Sequence, residues 1–330
     1  MKHGANIYKY AQLLGCKSKK IIDFSSNINF NYPQHNINIS KKNIMKYADT
    51  SYSKLKKVIS KKYYIKKSQI ALYNGATSAI YNLLSHLKNK HVYLYAPLYG
   101  EYEKACFNKK IHKINRLEQL DKKPKKNSIV IFVNPSTPDG LYYNLDQLYK
   151  IWTEQKCTII LDESFLEFEN FPSFRNMINS NKNLYIIQSF SKFNSCAGVR
   201  IGAIFTAKKN IQKMKQEIWN ISSIDEKILV KRLKDKEFHN KSRYLHLQQK
   251  EELFDILNSS KLFDKIYPSD SNFFLTFSKQ ADEIFHYLLR KKILTRTCGS
   301  FDYLSNKYIR FAVKDKKSNY NLKKALNEFS

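Results

Sequence analysis

No apolar run in this 330-residue chain approaches the roughly 18–20 residues that a helix needs to cross a bilayer, so no membrane-spanning segment is expected. The opening Met1-Lys2-His3-Gly4-Ala5-Asn6 leads into mixed polar sequence instead of the apolar stretch of a secretory signal, which points to the cytoplasm. Cysteine is sparse: Cys16, Cys106, Cys157, Cys196 and Cys298 are odd in number, far apart and without a Cys-x-x-Cys pair. A disulfide framework and a zinc ribbon are thereby excluded, which leaves reduced, mostly buried thiols and no expected metal centre. Acidic residues are few, 28 against 58 Lys+Arg, for a formal net charge of +30. Arginine is scarce as well, at only eight residues. The lysines form scattered pairs from Lys19-Lys20 to Lys316-Lys317 with no sustained basic tract, which favours a solvated surface over a nucleic-acid footprint as the reading of the charge. Lysine cannot imitate the planar guanidinium fork that grips phosphate or carboxylate, so each of the few arginines bears inspection.

What is present is a globular composition, 42% apolar and 14% aromatic, at a length that suits one large domain with a smaller companion. From about residue 68, short β-branched or aromatic runs alternate with segments of helical periodicity, the pattern of strands joined by crossover helices. Candidate strands are 69–73, 91–95, 128–133, 158–162, 184–189 and 201–205, with candidate helices at 77–88, 99–107, 145–155 and 171–178. This predicts an α/β fold built on a mostly parallel sheet. After about residue 224 come long charged helical stretches (226–236 and 241–258), three candidate strands (272–277, 293–297 and 308–313) and a last helix at 317–329, a smaller α+β unit. The expected division is an N-terminal arm over 1–28 that contributes to the active site, a large domain over 29–224 and a small domain over 225–330.

Ligands of an open α/β sheet bind beyond the carboxyl ends of its strands. Asn74-Gly75-Ala76-Thr77 follows the first strand and opens a helix whose free N–H groups suit a phosphate. Asn134-Pro135-Ser136-Thr137-Pro138-Asp139-Gly140 follows the third, and Leu161-Asp162-Glu163 ends the fourth in acids. Ser189-Phe190-Ser191-Lys192 ends the fifth, with Arg200 eight residues beyond the lysine. A lysine closing an apolar strand is unusual, and the joint occurrence carries more than any member.

In this order the pieces resemble the fold-type I pyridoxal-phosphate enzymes, in the branch of histidinol-phosphate aminotransferases and threonine-phosphate decarboxylases, over nearly the whole chain. The resemblance implies that Lys192 carries pyridoxal 5′-phosphate, that Ser189, Arg200 and the backbone of Gly75, Ala76 and Thr77 hold its phosphate, and that Asp162 pairs with the pyridine nitrogen. The residue types suit those roles. A lysine amine must lose its proton to attack an aldehyde, which burial and a nearby arginine favour. A carboxylate at the ring nitrogen keeps it protonated, so that the ring accepts an electron pair. The same resemblance sets Tyr99 stacked on the cofactor ring, and Tyr52 reaching the cofactor phosphate of a neighbouring subunit, which implies a homodimer.

Two features favour the decarboxylase over the aminotransferase. His3-Gly4-Ala5-Asn6 and Asp23-Phe24-Ser25-Ser26-Asn27-Ile28-Asn29 look like the openings of threonine-phosphate decarboxylases, implying substrate contacts at His3, Gly4 and Asn27. Arg296 and Arg310 lie on candidate strands of the small unit, where unpaired arginines are costly to bury. The resemblance makes Arg310 the partner of the substrate carboxylate and Arg296 a ligand of the substrate phosphate. Some departures from the family pattern fall at cofactor contacts, where Thr137 replaces the Asn that contacts the cofactor's 3′-oxygen and Phe165 the tyrosine of many transaminases; others bear on substrate identity, where Ala5 replaces the second glycine of the opening and Phe30-Asn31-Tyr32-Pro33 replaces Pro-Leu-Gly. The expected reaction is decarboxylation of an O-phospho-L-amino acid, phosphothreonine or phosphoserine, to a phosphorylated amino alcohol. The alternative is a histidinol-phosphate type of aminotransferase.

Overall fold

The computed structural model describes Gly4, residues 6–33 and residues 37–329. The chain opens with helix α1 (Ile7–Leu13), the two-residue strand β1 (Ile22–Asp23) and helices α2 (Lys41–Met45) and α3 (Ser53–Tyr63). The large sheet then forms from β2 (Ile70–Asn74), β3 (His91–Ala96), β4 (Lys110–Asn115), β5 (Ile129–Val133), β6 (Thr158–Asp162), β7 (Leu184–Ser189) and β8 (Ile201–Thr206). Its connections carry α4 (Gly75–His86), α5 (Glu101–Ala105) and α6 (Asp146–Glu154). The spatial order is β2-β8-β7-β6-β5-β3-β4. Every neighbouring pair is parallel except those made by β8, which runs antiparallel between β2 and β7. Strands covered on both faces read as continuous apolar runs, as in the wholly buried Ile129–Val133 and Thr158–Asp162.

Two apolar layers flank this sheet: Leu55, Ile59, Phe132, Trp152 and Phe205 contribute to one, and Leu83, Leu94, Tyr102 and Ile131 to the other. Beyond α7 (Lys208–Lys213) and α8 (Ser223–Lys234) runs the long α9 (Lys236–Ser259), followed by β9 (Lys265–Ile266), β10 (Phe273–Phe277), α10 (Ala281–Arg290), β11 (Ile293–Leu294), β12 (Arg296–Thr297), β13 (Tyr308–Ala312) and α11 (Lys316–Asn327). The small sheet has the order β12-β13-β10-β9, and β1 pairs in parallel with β11. The N-terminal segment is thereby anchored on the smaller unit, where Ala11, Ile21 and Phe24 share a core with Leu257, Leu288 and Phe311.

Three differences from the sequence reading have physical causes. Strand β4 escaped detection because it is the sheet edge, where Lys110 and Lys113 interrupt the apolar pattern and only Ile114 is buried. The helix expected over 171–178 reduces to a 3-10 turn, Phe174–Ile178, because Pro172 precedes it and the Ser173 hydroxyl caps the N–H of Arg175. Helix α10, which buries Ile284, Phe285, Leu288 and Leu289 on one face, had not been separated from the strands around it. Helix α8 places Leu229, Val230 and Leu233 in the large core beside Leu55 and Ile59.

Candidate active site

The carboxyl ends of β2, β6 and β7 lie along one edge of the large sheet, and Arg310 of the small sheet reaches that side through Thr137. At the end of β2 the chain turns at Gly75, whose φ of +80° suits glycine and whose added Cβ would stand 2.7 Å from Nη2 of Arg200. A side chain there would fill the space between the α4 N-terminus and the guanidinium. Gly202, on β8, makes the same economy from the other side: its Cβ would collide with the backbone of Gly75 and Ala76. Arg200 is exposed and donates from Nη1 to the Ala197 carbonyl at 3.3 Å. Ser189 is buried at the end of β7, its hydroxyl accepting the N–H of Ser191 at 3.4 Å. Thr77 Oγ1 lies 3.3 Å from the Tyr99 hydroxyl. The helix N-terminus, an arginine and hydroxyls thus surround a space kept clear of side chains, the chemistry of a phosphate cradle.

Lys192 is half-buried just past β7, and its Nζ has no hydrogen bond or ion pair among the described residues. Burial, then Arg310 and Arg200, depress its amine to about 8 against the opposing pull of Asp162. Asp162 is buried at the end of β6, where burial raises its pKa; Oδ2 accepts the Tyr102 hydroxyl at 2.8 Å and Oδ1 the Ser164 N–H at 2.9 Å. An uncommitted amine, a desolvated carboxylate within its electrostatic reach and a phosphate cradle together fit pyridoxal phosphate: an aldehyde for the lysine, a ring nitrogen for the acid and a phosphate for the glycine turn.

The opposite wall comes from the small sheet and the N-terminal segment. Arg296 on β12 is the register partner of Arg310 on β13, which puts both side chains on one face of that sheet. Both are buried; Arg296 donates to Ser300 Oγ at 2.9 Å. Arg310 donates to Thr137 Oγ1 at 3.1 Å and to the Ser25 carbonyl at 3.0 Å, with its guanidinium 4.7 Å over the ring of Phe273. Burial and the nearby Arg296 bring its pKa down to about 10. Phe165 packs edge-on against that same Phe273, lining the wall with hydrocarbon. Asn27 is buried and its carbonyl accepts from Asn272, while Gly4 lies so close to the Ser25 carbonyl that a Cβ would strike it. His3 lies outside the described residues.

Tyr52 is 4% exposed, in the core of its own chain, and its hydroxyl lies 3.1 Å from both Asn220 Oδ1 and the Ile221 N–H. Five residues earlier, Tyr47 is exposed and stacks on the exposed Trp219 with ring centroids 4.4 Å apart. Sequence reasoning also passed over Tyr102, which no spacing marks as the partner of Asp162. It missed Lys314, depressed by burial to about 8, whose Nζ donates to the Ser26 carbonyl at 2.7 Å. The Asn29 N–H bonds the Lys192 carbonyl at 3.1 Å, tying the N-terminal segment to the lysine.

Fold and site together define a pyridoxal-phosphate enzyme of fold type I. The chain belongs to the aminotransferase class I and II family, whose pattern matches residues 2–329. It is similar, at 29% identity over its full length, to the adenosylcobalamin biosynthesis bifunctional protein CobDQ of Leptospira interrogans, of which it spans only 41%. It is 26% identical to a putative threonine-phosphate decarboxylase of Caldanaerobacter subterraneus, covering 98% of this chain and 93% of that one. The solved histidinol-phosphate aminotransferase of Clostridium acetobutylicum superposes with a TM-score of 0.81 at 28% identity, covering 93% of this chain and 98% of the other.

Proposed function

We propose that this chain decarboxylates an O-phospho-L-amino acid, phosphothreonine or phosphoserine, in the cytoplasm. The observation that carries the reading is Arg310: a buried guanidinium whose described hydrogen bonds go only to neutral oxygens, with Arg296 as its register partner. Burying a cation without a counter-ion is costly, and an incoming carboxylate offsets that cost, with a phosphate accommodated beside it. The decarboxylase relative and the Asp23–Asn29 opening support the choice.

Gly75, Ala76, Thr77, Ser189 and Arg200 would hold the cofactor phosphate, Tyr99 the face of the ring, Thr137 its 3′-oxygen and Asp162 its ring nitrogen. When bound, pyridoxal phosphate supplies a sink for the electron pair left at Cα. Arg310 holds the carboxylate and so selects the bond to Cα that breaks. Phe165 and Phe273 exclude water around it, which strengthens its grip. The bond from Cα to the carboxylate breaks, carbon dioxide leaves, and a proton delivered by the protonated Lys192 Nζ or by a water takes its place at Cα. Gly4 and Asn27 belong to the same substrate pocket on this reading.

The second reading, amino transfer of the histidinol-phosphate type, draws on the Clostridium acetobutylicum enzyme and uses the same lysine to move a proton off Cα. Incubation with O-phospho-L-threonine and O-phospho-L-serine separates the two: the proposal requires carbon dioxide and an amino alcohol phosphate, whereas a 2-oxo acid with no gas release overturns it. We also propose a homodimer contact through Ile44, Met45, Tyr47, Ile218 and Trp219, each a large apolar side chain exposed in this chain, with Tyr47 and Trp219 stacked. No described helix is long and apolar enough to cross a membrane.

A further inference from the structure

Two buried, opposite charges stand behind the wall that carries Thr137. Arg116 follows the edge strand β4, Asp139 lies in the 134–140 loop, and their exposures are 2% and 0%. Arg116 Nη2 donates to Asp139 Oδ1 at 2.5 Å. That oxygen also accepts the Ser136 hydroxyl and, at 3.1 Å, the Gly140 N–H, while Oδ2 accepts the Tyr143 hydroxyl at 2.8 Å. The same guanidinium reaches two backbone carbonyls, Thr137 at 3.2 Å from Nη2 and Tyr95 at 3.4 Å from Nη1. Tyr95 is the penultimate residue of β3, four positions before Tyr99. One arginine therefore clamps the strand leading to Tyr99 onto the loop bearing Thr137, whose hydroxyl takes Nη1 of Arg310.

We propose that the Arg116–Asp139 pair is a positioning device for substrate recognition: it fixes the backbone on both sides of Thr137 and, through the Thr137 hydroxyl, the direction in which Arg310 presents its guanidinium. Stability alone does not require charges here, because well-packed apolar residues of like volume serve a buried site as well or better. Orientation does require them. Asp139 gathers donors from four residues, and Arg116 spends its planar fork on two carbonyls and a carboxylate, so the loop has one arrangement. The inference rests on the reading of Arg310 as the carboxylate partner.

The test is a set of holoenzyme variants, Asp139→Asn, Arg116→Lys, Thr137→Val, Asp139→Asn with Thr137→Val, and Arg116→Met with Asp139→Leu. Each is measured for thermal midpoint and for affinity toward O-phospho-L-threonine, read from the bound cofactor's visible spectrum. Asp139→Asn and Arg116→Lys are each expected to weaken affinity about tenfold, the scale of one charge-assisted hydrogen bond. In the Thr137→Val background Asp139→Asn should add less than about twofold, because the route to Arg310 is already cut. The double apolar variant should recover the thermal midpoint and leave affinity weak. Full additivity with Thr137→Val, or affinity that tracks the midpoint back to wild type, overturns the positioning role. Arg310→Lys separates the two layers: if it leaves affinity intact, the substrate reading falls and takes this inference with it. If it weakens affinity while the pair variants only lower the midpoint, the inference alone is wrong.

Discussion

The most demanding consequence of the site concerns the proton on Lys192. An amine held at about 8 is about one-tenth neutral at pH 7 and about nine-tenths neutral at pH 9, whereas a lysine at its ordinary value of 10.5 would be neutral in roughly one molecule in 3,000 at pH 7. Only the neutral amine attacks an aldehyde. Mixing apoenzyme with pyridoxal phosphate and following the visible absorbance should therefore give a capture rate that rises about tenfold from pH 6 to pH 7, bends near 8 and levels above 9. The causes of the depression make the experiment signed. Arg310→Met removes a cation that disfavours the lysine's charge, so it should move the midpoint up and slow capture at pH 7 while sparing the plateau. Asp162→Asn removes the opposing carboxylate and should move the midpoint down. A rate still climbing steeply past pH 10, or two substitutions that shift the midpoint the same way, would refute the electrostatic account.

Gly202→Ala pushes a methyl into the Gly75–Ala76 backbone and should lower cofactor affinity at least tenfold by equilibrium dialysis, with the fold retained by circular dichroism. Arg175→Met strands the buried Glu163 carboxylate, paired at 3.2 Å, and should cost about 3 kcal/mol in urea unfolding; Ser173 Oγ and the Phe174 N–H still bond Glu163 and hold the loss to that end of the usual range. Trp152→Phe should cost about 1–3 kcal/mol in the same assay, because Nε1 donates to the buried Tyr95 hydroxyl at 2.9 Å. Met45→Glu with Trp219→Ser should shift the sedimentation coefficient toward that of a monomer; an unchanged value removes the proposed contact.

The large sheet was legible because a strand buried on both faces advertises itself as an apolar run, and three of them end in or soon lead to a polar residue, Asn74 and Asp162 at the ends of β2 and β6 and Lys192 three residues past β7. The edge strand gave no such signal, since half of β4 faces water and takes lysines there. The consequence reached the site: without β4, Arg116 had no strand to follow and no reason to face Asp139. The directions of Tyr52 and Tyr47 were illegible for another reason. Each lies in the same short polar stretch, and whether an aromatic ring turns into its own core or out to a partner depends on packing against residues 218–221, some 170 positions away. Arg296 and Arg310 could be singled out because only eight arginines exist to choose from, yet their shared face depends on a pairing register that the short β12 does not advertise.

The same reasoning bears on why one scaffold serves two reactions. The lysine, the acid and the phosphate cradle are common to both, and they lie on the rigid strand ends of the large sheet. What distinguishes breaking a bond to carbon from breaking one to hydrogen is the direction in which the substrate is held, and that is set on the other wall. Arg310 reaches Thr137 on the large sheet's side and Ser25 on the N-terminal segment, so its guanidinium is fixed between two separately anchored pieces of chain. A substrate carboxylate that takes over one of those bonds loosens one anchor and keeps the other. The Thr137 anchor is backed by a buried ion pair, while the Ser25 anchor is a carbonyl in a segment turned by Asp23, so the carboxylate should displace Ser25 and leave Thr137 in place. Binding would then be coupled to movement of the 25–29 segment, whose Asn29 holds the Lys192 carbonyl, and the proton donor would answer to the same event that seats the substrate. Protection of the Asn29 amide from hydrogen exchange should therefore change when O-phospho-L-threonine is added. If it does not, substrate capture and lysine placement are independent.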